Sequence, residues 1–325
     1  MSWNTSRLSR RPAPAEGVLL VEKPGLLTTI QDLGRPGHRK FGVPPSGAMD
    51  RFALAAANRL VGNPEGAAGL ECALNGPVLL ALQPCLVAVT GADFTPTVNG
   101  AEMPPWTGVY LAAGERLSFG GRRSGARCYI AVAGGLAGSR WLGSLATYLL
   151  VEKGGFDGRT LEAGDVLSLA TSAPRPLIAG RHLSRRLLPP YGREPALGAV
   201  PGPHHGRLNR ASRSALLKSS FAVSRDADRM GFRLEGPPLA LSGSELLSIG
   251  LTMGAVQLPI GGQPILLMAD HQTAGGYPVI LGVARAALPL AAQLLPGDQL
   301  TFREVGAGDA QEEWRRLREA LEQIA

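Results

Sequence analysis

Polar side chains that could bind a small molecule or move a proton are concentrated in three segments of the sequence. The first runs from Thr28 to Asp50 and is too polar for a core strand. Long ordered loops of this kind usually carry function. The alternative is a surface loop in which aspartates cap the turns that follow. Its candidate substrate-binding residues are Gln31, Asp32, Arg35, Ser46 and Asp50.

The second segment, SRDADRMGFRLEG, places Asp228 and Arg229 just before Gly231. A guanidinium group offers planar, paired donors to a carboxylate or a phosphate, so the segment could bind an anionic ligand. A surface ion pair between an aspartate and an arginine is the plainer interpretation of this segment taken alone.

The third segment, GAVQLPIGGQPILLMADHQTAGGYPVI, combines apolar strands with many hydrogen-bonding side chains. Asp270 follows an apolar run and could act as a base or orient a partner. Two adjacent glycines let backbone N–H groups approach a ligand and stabilise an oxyanion, although a tight hairpin turn would also use them. The candidate residues here are Gln257, Asp270, Gln272, Thr273, Gly275, Gly276 and Tyr277.

Several common chemistries lack their sequence signatures. Neither the phosphate-binding G-x-x-x-x-G-K-[Ser/Thr] loop nor a helix-opening G-x-G-x-x-G occurs, and there is no G-x-S-x-G nucleophile elbow. His204 and His205 adjoin each other without companion ligands, so we predict no metal site. The net charge of +7 comes from scattered arginines, and aromatic residues make up only 5% of the chain. These features argue against nucleic-acid binding.

The elements that must position these residues are mainly short strands. Apolar runs bounded by Gly, Pro, Asn and Asp recur along the chain of 325 residues, which predicts a mainly β fold of barrels or sandwiches. The segment MDRFALAAANRLVGN predicts a helix over residues 50–61. A second helix is predicted at the end of the chain, where Trp314, Leu317 and Leu321 follow helical spacing, and a short third one around LPLAAQLL.

Similar sequence segments in the two halves of the chain suggest two similar β-rich lobes. GPVLLALQPCLVAVTGAD resembles GPPLALSGSELLSIGLTMGA, and GERLSF, GDVLSL and GDQLTF resemble one another. A stretch rich in proline and arginine separates the two halves and is typical of a linker. We therefore predict a flexible basic tail over residues 1–16, a first lobe over 17–185, a second lobe over 186–308 and a terminal helix over 309–325.

The chain is predicted to be cytoplasmic. No apolar run approaches the length of about 20 residues that a membrane-spanning helix needs. The arginines near the N-terminus are followed by a charge pair that interrupts any signal-peptide apolar region. Cys72, Cys85 and Cys128 lie among apolar neighbours, and we expect them to be buried reduced thiols.

The polar segments, read together, resemble the biotin-dependent carboxyltransferase family. This is the family of allophanate hydrolase subunit 2-like proteins, which includes the C subunit of 5-oxoprolinase and the antagonist of a sporulation-kinase inhibitor. The resemblance rests on TTIQDLGRPGHRKFGVPPSGAMDRFALAAANRLVGN, DRMGFRLEG and GAVQLPIGGQPILLMADHQTAGGYPVI, and it extends from about Gly17 to Val305.

The resemblance implies two tandem cyclophilin-like β-barrel lobes with a few short helices. It implies one subunit of an ATP-dependent 5-oxoprolinase, which converts 5-oxoproline to glutamate, or a related carboxyltransferase. The implied partners are a B-subunit-like protein, of the allophanate hydrolase subunit 1 type, and the A subunit of 5-oxoprolinase. ATP would be bound by the complex rather than by this chain alone. Biotin, where used, would arrive on another protein, because this chain lacks an A-M-K-M-type attachment site.

Within that framework we expect Asp270, Gln257, Arg229 and Tyr277 to be catalytic, with the other candidates binding substrate. Relatives usually carry Q-T-T-G-G-Y-P, whereas here Ala274 replaces the second threonine and removes a hydroxyl group. The alternative function is a non-catalytic regulatory protein that sequesters its B-subunit-like partner. The arrangement of Asp270, Arg229 and Gln257, either in an open cleft or buried in a structural network, should distinguish the two functions.

Overall fold

A computed structural model describes residues 17–173, 178–243 and 246–324 of the chain. These residues form a mainly β structure, which confirms the predicted fold class. Four α-helices occur in the described residues, and none of them is both long and apolar enough to span a membrane. The predicted tail over residues 1–16 lies outside the described residues.

The first half of the chain forms two antiparallel sheets. In the six-stranded sheet the order is β11-β1-β4-β9-β6-β7, and in the five-stranded sheet it is β2-β3-β10-β5-β8. Their strands are β1 (Gly17–Lys23), β2 (Leu27–Gln31), β3 (Gly69–Ala73), β4 (Val78–Ala81), β5 (Cys85–Asp93), β6 (Pro96–Val98), β7 (Ala101–Glu102), β8 (Gly108–Leu111), β9 (Arg116–Phe119), β10 (Ser124–Val132) and β11 (Val166–Ser168).

One apolar core fills the space between these two sheets. Leu19 of β1 and Leu79 of β4 pack in the same cluster as Val87 of β5 and Ile130 of β10. Alternate residues of a strand point to opposite faces, so the apolar runs seen in the sequence bury one face of each sheet. All three cysteines are buried and unpaired, as predicted.

The second half of the chain forms a closed barrel. Its strand order is β12-β19-β16-β17-β14-β13-β20, and β15 and β18 form a separate two-stranded ribbon. Phe221 and Phe302 pack inside the barrel with their ring centroids 5.9 Å apart. The strands are β12 (Ala196–Pro201), β13 (Phe221–Val223), β14 (Gly231–Glu235), β15 (Ile249–Gly250), β16 (Ala255–Gln257), β17 (Ile265–Leu267), β18 (Ala274–Gly275), β19 (Val279–Val283) and β20 (Gln299–Glu304).

Three of the four helices in the described residues pack where the two halves meet. The predicted helix over 50–61 is observed as α1, and the difference at its start has a simple cause: Asp50 is the N-cap, accepting a hydrogen bond from the Ala53 amide at 2.9 Å. The C-terminal helix α4 contacts α1. The helices are α1 (Arg51–Leu60), α2 (Arg210–Lys218), α3 (Leu288–Ala292) and α4 (Ala307–Glu322). The exact lobe boundaries stay a prediction.

The sequence similarity between the two halves is only partly reproduced in the structure. The three G-x-x-L-type segments all contain strands, namely β9, β11 and β20. By contrast, the segment beginning at Gly236 does not reproduce β4. Pro237 and Pro238 stand at its start, and proline has no N–H to donate to a strand ladder.

Candidate functional site

A buried ion-pair network joins the two halves of the molecule. The Arg229 Nε donates to Asp270 Oδ2 at 2.8 Å, and a terminal nitrogen of the same guanidinium donates to Glu71 Oε1. Its other terminal nitrogen donates to the Gly47 carbonyl at 2.7 Å. The side chain of Arg229 is 12% exposed, and those of Glu71 and Asp270 less than that. Every nitrogen of this guanidinium therefore has a partner within the protein.

The charges of this network stabilise one another. Burial alone would lower the pKa of Arg229, but the neighbouring carboxylates of Asp270 and Glu71 overcome that effect and raise its pKa. Glu71 also accepts hydrogen bonds at Oε2 from the Tyr129 hydroxyl and the Met49 amide, each at 2.8 Å. Glu71 and Tyr129 lie directly opposite each other on β3 and β10. We call Glu71, Arg229 and Asp270 the paired network.

Asp50 forms a second buried junction beside the paired network. Its Oδ2 accepts hydrogen bonds from the Tyr191 hydroxyl at 2.8 Å and from Gln293 Nε2 at 3.0 Å. Gln293 belongs to the second half and also accepts hydrogen bonds from the Ala126 and Arg127 amides of β10. Burial raises the pKa of the Asp50 carboxyl to about 6, although its hydrogen bonds act in the opposite direction.

The loop after β2 folds back on itself at two glycines. A side chain at Gly34 would meet the Pro45 carbonyl at 2.5 Å, and one at Gly47 would meet the Gly34 amide at 2.6 Å. Both have positive φ angles, +90° and +86°, which glycine adopts without strain. The Ala48 amide closes the loop by donating to the Asp32 carbonyl at 2.9 Å. The sequence signature of this loop therefore specifies a tight backbone crossing.

Asp32 attaches that loop to the segment after β10. Its carboxylate accepts hydrogen bonds from the Ser144 hydroxyl at 2.6 Å, the Leu145 amide at 2.7 Å and the Gly34 amide at 2.7 Å. A carboxylate that accepts three hydrogen bonds within the protein has little capacity left for a ligand. Asp32 is therefore placed to position the loop.

Three neighbouring side chains, by contrast, are buried with unused hydrogen-bonding atoms. Arg35 donates one hydrogen bond to the Ala146 carbonyl, while its Nε and its other terminal nitrogen have no partner. Gln31 donates to the Thr147 carbonyl at 3.1 Å, but its Oε1 is unpartnered. The Ser46 hydroxyl also lacks a partner, at a φ of 53°. We call Gln31, Arg35 and Ser46 the unpaired cluster.

An unpaired buried polar atom is costly, so such atoms usually contact a ligand or an ordered water. Arg35 is 1% exposed, and its guanidinium lies 4.8 Å from the centroid of the Trp141 ring. Burial lowers its pKa, and the nearby carboxylates of Asp270 and Asp32 oppose that shift. Burial also raises the pKa of Tyr148, and the charge of Asp270 raises it further. Asp270 thus belongs to the paired network and acts electrostatically on the unpaired cluster.

The glycine pair of the third segment lies on a different surface. Gly275, Gly276, Gln272 and Tyr277 line a cavity of about 860 Å³ in the second half, together with apolar residues such as Leu258. Neither Asp270 nor Arg229 is among the described residues that line it. We call this the barrel cavity.

Gln257 lies buried under that surface. Its Nε2 donates to the Tyr277 carbonyl at 3.4 Å, and its Oε1 accepts from Gln272 Nε2 at 3.3 Å. Ala274, which replaces the expected threonine, is exposed in β18 and pairs with Gly250. Its methyl group faces solvent at a strand edge.

The side chain of Asp228 and the backbone carbonyl of Thr273 accept hydrogen bonds from backbone amides. Asp228 is exposed, and its Oδ1 accepts from the Met230 and Gly231 amides at 2.7 and 3.1 Å. This is the geometry of an aspartate-stabilised turn. The Thr273 carbonyl accepts from the Leu251 amide at 2.9 Å. The structure thus divides the candidates among the paired network, the unpaired cluster, the surface of the barrel cavity, the separate contacts of Asp32 and Asp50, and the backbone contacts of Asp228 and Thr273.

Sequence reasoning missed Glu71, Tyr129, Tyr148 and Gln293. Glu71 carried a usable signal, because a carboxylate inside the apolar run GLECA must find a buried partner. Tyr148 and Gln293 carried none, since each is brought to the site by contacts remote in sequence. Among the described residues, no group of three or more His, Cys, Asp or Glu could hold a metal ion. The His204 Nδ1 instead accepts from the Val279 amide at 2.9 Å.

Comparison with known proteins defines the class of this fold. The family described as carboxyltransferase domain, subdomain A and B, matches residues 41–304. The chain belongs to this family.

Individual relatives extend the match along the chain. It is 36% identical over 311 residues to the C subunit of 5-oxoprolinase from Escherichia coli, which covers 95% of this chain and 98% of that protein. It is 35% identical to the corresponding 5-oxoprolinase chain of Haemophilus influenzae, covering 91% of this chain and 94% of that protein.

A solved structure shows the same fold within a larger protein. The crystal structure of Kluyveromyces lactis urea carboxylase matches with a TM-score of 0.90 and 29% sequence identity. The match covers 96% of this chain but only 30% of that one. The relatives are thus subunits or parts of enzymes.

Proposed function

We propose that this chain is one subunit of an ATP-dependent 5-oxoprolinase, which opens the cyclic amide of 5-oxoproline to give glutamate. The observation that carries the proposal is the match to the C subunit of 5-oxoprolinase over nearly the full length of both chains. The alternative is a related carboxyltransferase activity directed at another amide, because the structural similarity to urea carboxylase covers almost all of this chain.

The unpaired cluster has the hydrogen-bonding groups that a small amide requires. An amide offers a carbonyl acceptor and an N–H donor. Arg35 has two unused donor nitrogens, and Gln31 has an unused acceptor oxygen. The Ser46 hydroxyl can do either. In this proposal Arg35 binds the amide oxygen, where negative charge develops when a nucleophile attacks the carbonyl carbon.

Asp270 is proposed as the group that assists proton transfer, with Arg229 as its positioning residue. Arg229 holds the Asp270 carboxylate through its Nε at 2.8 Å. The electrostatic effect of Asp270 on Arg35 and Tyr148 supports a location beside the unpaired cluster. Gln257, Tyr277 and the glycine pair contribute through the barrel cavity, and we propose them as secondary contacts with substrate or partner.

The complex supplies what this chain does not carry. We propose a B-subunit-like protein and the A subunit of 5-oxoprolinase as partners, with ATP bound by the complex. The free donors of Arg35 and Ser46 also fit the carboxylate of carboxybiotin delivered on another protein, since charged donors bind carboxylates well. Biotin would supply an activated carboxyl group there, and this chain's residues would only orient it.

The test is 5-oxoproline-dependent ATP hydrolysis by the purified chain, alone and then mixed with the two partner proteins from the same source. We expect turnover only in the full mixture. The Asp270→Asn variant should lower that turnover by at least about 100-fold, which is typical for a group that transfers a proton. Far-UV circular dichroism and complex formation should be retained.

Turnover by Asp270→Asn equal to that of the unchanged chain would remove Asp270 from the mechanism. A stable complex that hydrolyses nothing with 5-oxoproline would remove the substrate and leave either another amide or a regulatory role.

A regulatory binding role is the second candidate, and one observation favours it. Asp270 and Arg229 are buried and paired with each other, which is the arrangement of a structural network rather than of an open cleft. This role predicts tight association with the B-subunit-like protein and no turnover, and Asp270→Asn should then act only by lowering the stability of the fold.

A further inference from the structure

A second cavity of about 860 Å³ lies where α1, α4 and α3 meet the loop after β2. Four arginines and a histidine are among its lining residues, whereas Glu65 is the one carboxylate among the described residues that line it. The basic residues are Arg39, Arg51, His271, Arg285 and Arg318. We call this the α4 cleft. The family match ends at residue 304, so the α4 side of the cleft lies beyond it.

Most of the positive charge in the α4 cleft is not balanced by the protein. Glu65 is already bonded to Arg59 and Arg318. Among the described residues, no carboxylate lies within ion-pair distance of Arg39, Arg51 or Arg285. A cavity walled by three such guanidinium groups attracts anions.

These three arginines have defined positions but unused donors. The Arg39 guanidinium donates to the Leu251 carbonyl at 3.0 Å, and that of Arg51 to the Ser46 carbonyl at 3.2 Å. The Nε of Arg51 is buried without a partner. A guanidinium has five N–H donors, so each of these side chains keeps several for a ligand.

The charges in the cleft oppose one another. Burial lowers the pKa of Arg51, and the nearby charge of Arg285 lowers it further, while the carboxylate of Asp32 opposes the shift. Burial likewise lowers the pKa of His271, and the charges of Arg39 and Arg51 add to the effect, while its hydrogen bond to the Gln272 backbone and the charge of Asp270 oppose it. An anion bound beside Arg39, Arg51 and Arg285 would relieve this repulsion, because Glu65, the carboxylate of the lining, is bonded to Arg59 and Arg318.

The rest of the lining is apolar and includes aromatic rings. Phe52, Leu288 and Trp314 contribute to it. The Arg285 guanidinium lies 4.4 Å from the centroid of the Trp314 ring, so an aromatic surface stands next to the cationic groups. A ligand that matches this lining has several negative charges at one end and an apolar or aromatic body at the other.

From this geometry we propose that the α4 cleft binds an organic phosphate, with Arg39, Arg51 and Arg285 holding the phosphate groups. Arginine forms paired hydrogen bonds to phosphate oxygens, and three such groups suit a diphosphate or triphosphate better than a single carboxylate. None of Gln31, Arg35 and Ser46 is among the described residues that line the cleft. The proposal does not depend on the 5-oxoprolinase assignment, in which the complex binds the ATP that is hydrolysed.

The test is isothermal titration of the purified full-length chain with ATP, pyrophosphate and adenosine as probes. We expect ATP and pyrophosphate to bind and adenosine not to bind. Arg285→Gln should weaken binding at least about tenfold, which is typical of losing a charge-assisted hydrogen bond. Arg316→Gln is the matched control, because Arg316 lies on α4, outside the cleft lining, and is 71% exposed. It should change affinity by less than about twofold, as an exposed charge does.

We expect ATP to bind tighter than pyrophosphate, because the apolar lining would contact the organic body of the ligand. Equal binding would overturn the organic part of the proposal and leave a site for phosphate groups alone. The whole proposal is overturned if neither phosphate probe binds, or if Arg285→Gln and Arg39→Gln, shown by thermal unfolding to be folded, bind ATP as tightly as the unchanged chain.

Discussion

Arg229 and Arg35 are both buried arginines at the junction of the two halves, but they differ in how completely they are paired. All three nitrogens of Arg229 donate to partners within the protein, including two carboxylates. Arg35 donates one hydrogen bond and leaves two nitrogens without a partner. A fully paired buried charge holds structure together, whereas an unpaired one is available for a ligand.

Removing Arg229 from the paired network should have the largest effect on stability. Arg229→Met leaves the Glu71 and Asp270 carboxylates buried without their counter-ion, which typically costs about 3–5 kcal/mol in the free energy of unfolding. Urea denaturation measures this cost. Arg116→Met is the control, because Arg116 is 51% exposed and pairs with Glu22 at the surface, where an ion pair contributes little to stability. Equal losses for both variants would mean that the network does not hold the halves together.

Removing Arg35 should leave stability nearly unchanged but lower turnover. Arg35→Met puts an apolar side chain of similar length into a buried position, so stability should change by less than about 1 kcal/mol. Turnover of the reconstituted complex should fall about 100-fold, as when a donor to a developing oxyanion is removed. Arg159→Met is the control, since Arg159 also stacks on an aromatic ring, that of Phe156, but pairs with Asp165. Turnover that survives Arg35→Met would place the amide elsewhere.

Asp50, beside the paired network, should make the free energy of unfolding depend on pH. Its pKa is raised from 3.8 to about 6 in the folded state, so the folded protein holds a proton that the unfolded chain releases. The free energy of unfolding should therefore fall as pH rises through that interval, by on the order of 3 kcal/mol, and stay level above it. Comparing unfolding of the unchanged chain and Asp50→Asn across the interval isolates this contribution. A difference between the two that is constant with pH would contradict the assignment.

Ser46 should show the smallest effect. Its buried hydroxyl has no partner, so Ser46→Ala should leave stability unchanged or raise it by up to about 1 kcal/mol. Loss of one neutral hydrogen bond to substrate should raise KM roughly fivefold. The exposed Ser220 offers a control for KM, because its hydroxyl donates to the Gln299 side chain at 2.6 Å, and Ser220→Ala should leave KM unchanged. A clear loss of stability in Ser46→Ala would show that the hydroxyl has a structural partner.

Much of the fold could be predicted from the sequence, because the signals are local. The strand β1 coincides with the apolar run GVLLVEK, and α1 begins one residue after its predicted start at residue 50. The resemblance of the polar segments to a carboxyltransferase family was confirmed by the family match. The segment beginning at Gly236 does not form a strand equivalent to β4, because its prolines have no N–H to donate to a strand ladder.

The sequence could not indicate which candidate residues share a site. Asp270 and Tyr277 are close in sequence, yet one pairs with Arg229 and the other lines the barrel cavity. Arg35 and Asp270 are distant in sequence and interact electrostatically across the junction of the halves. Such contacts depend on tertiary packing, which no local pattern encodes. The roles of all these residues stay predictions, as does the cytoplasmic location.

The most direct test of the central claim is a crystal structure of the reconstituted complex with 5-oxoproline and a non-hydrolysable ATP analogue. We predict that the lactam oxygen lies within hydrogen-bonding distance of the free nitrogens of Arg35, with Gln31 or Ser46 at its N–H. A lactam bound instead in the barrel cavity beside Tyr277, with Arg35 unchanged, would contradict this prediction.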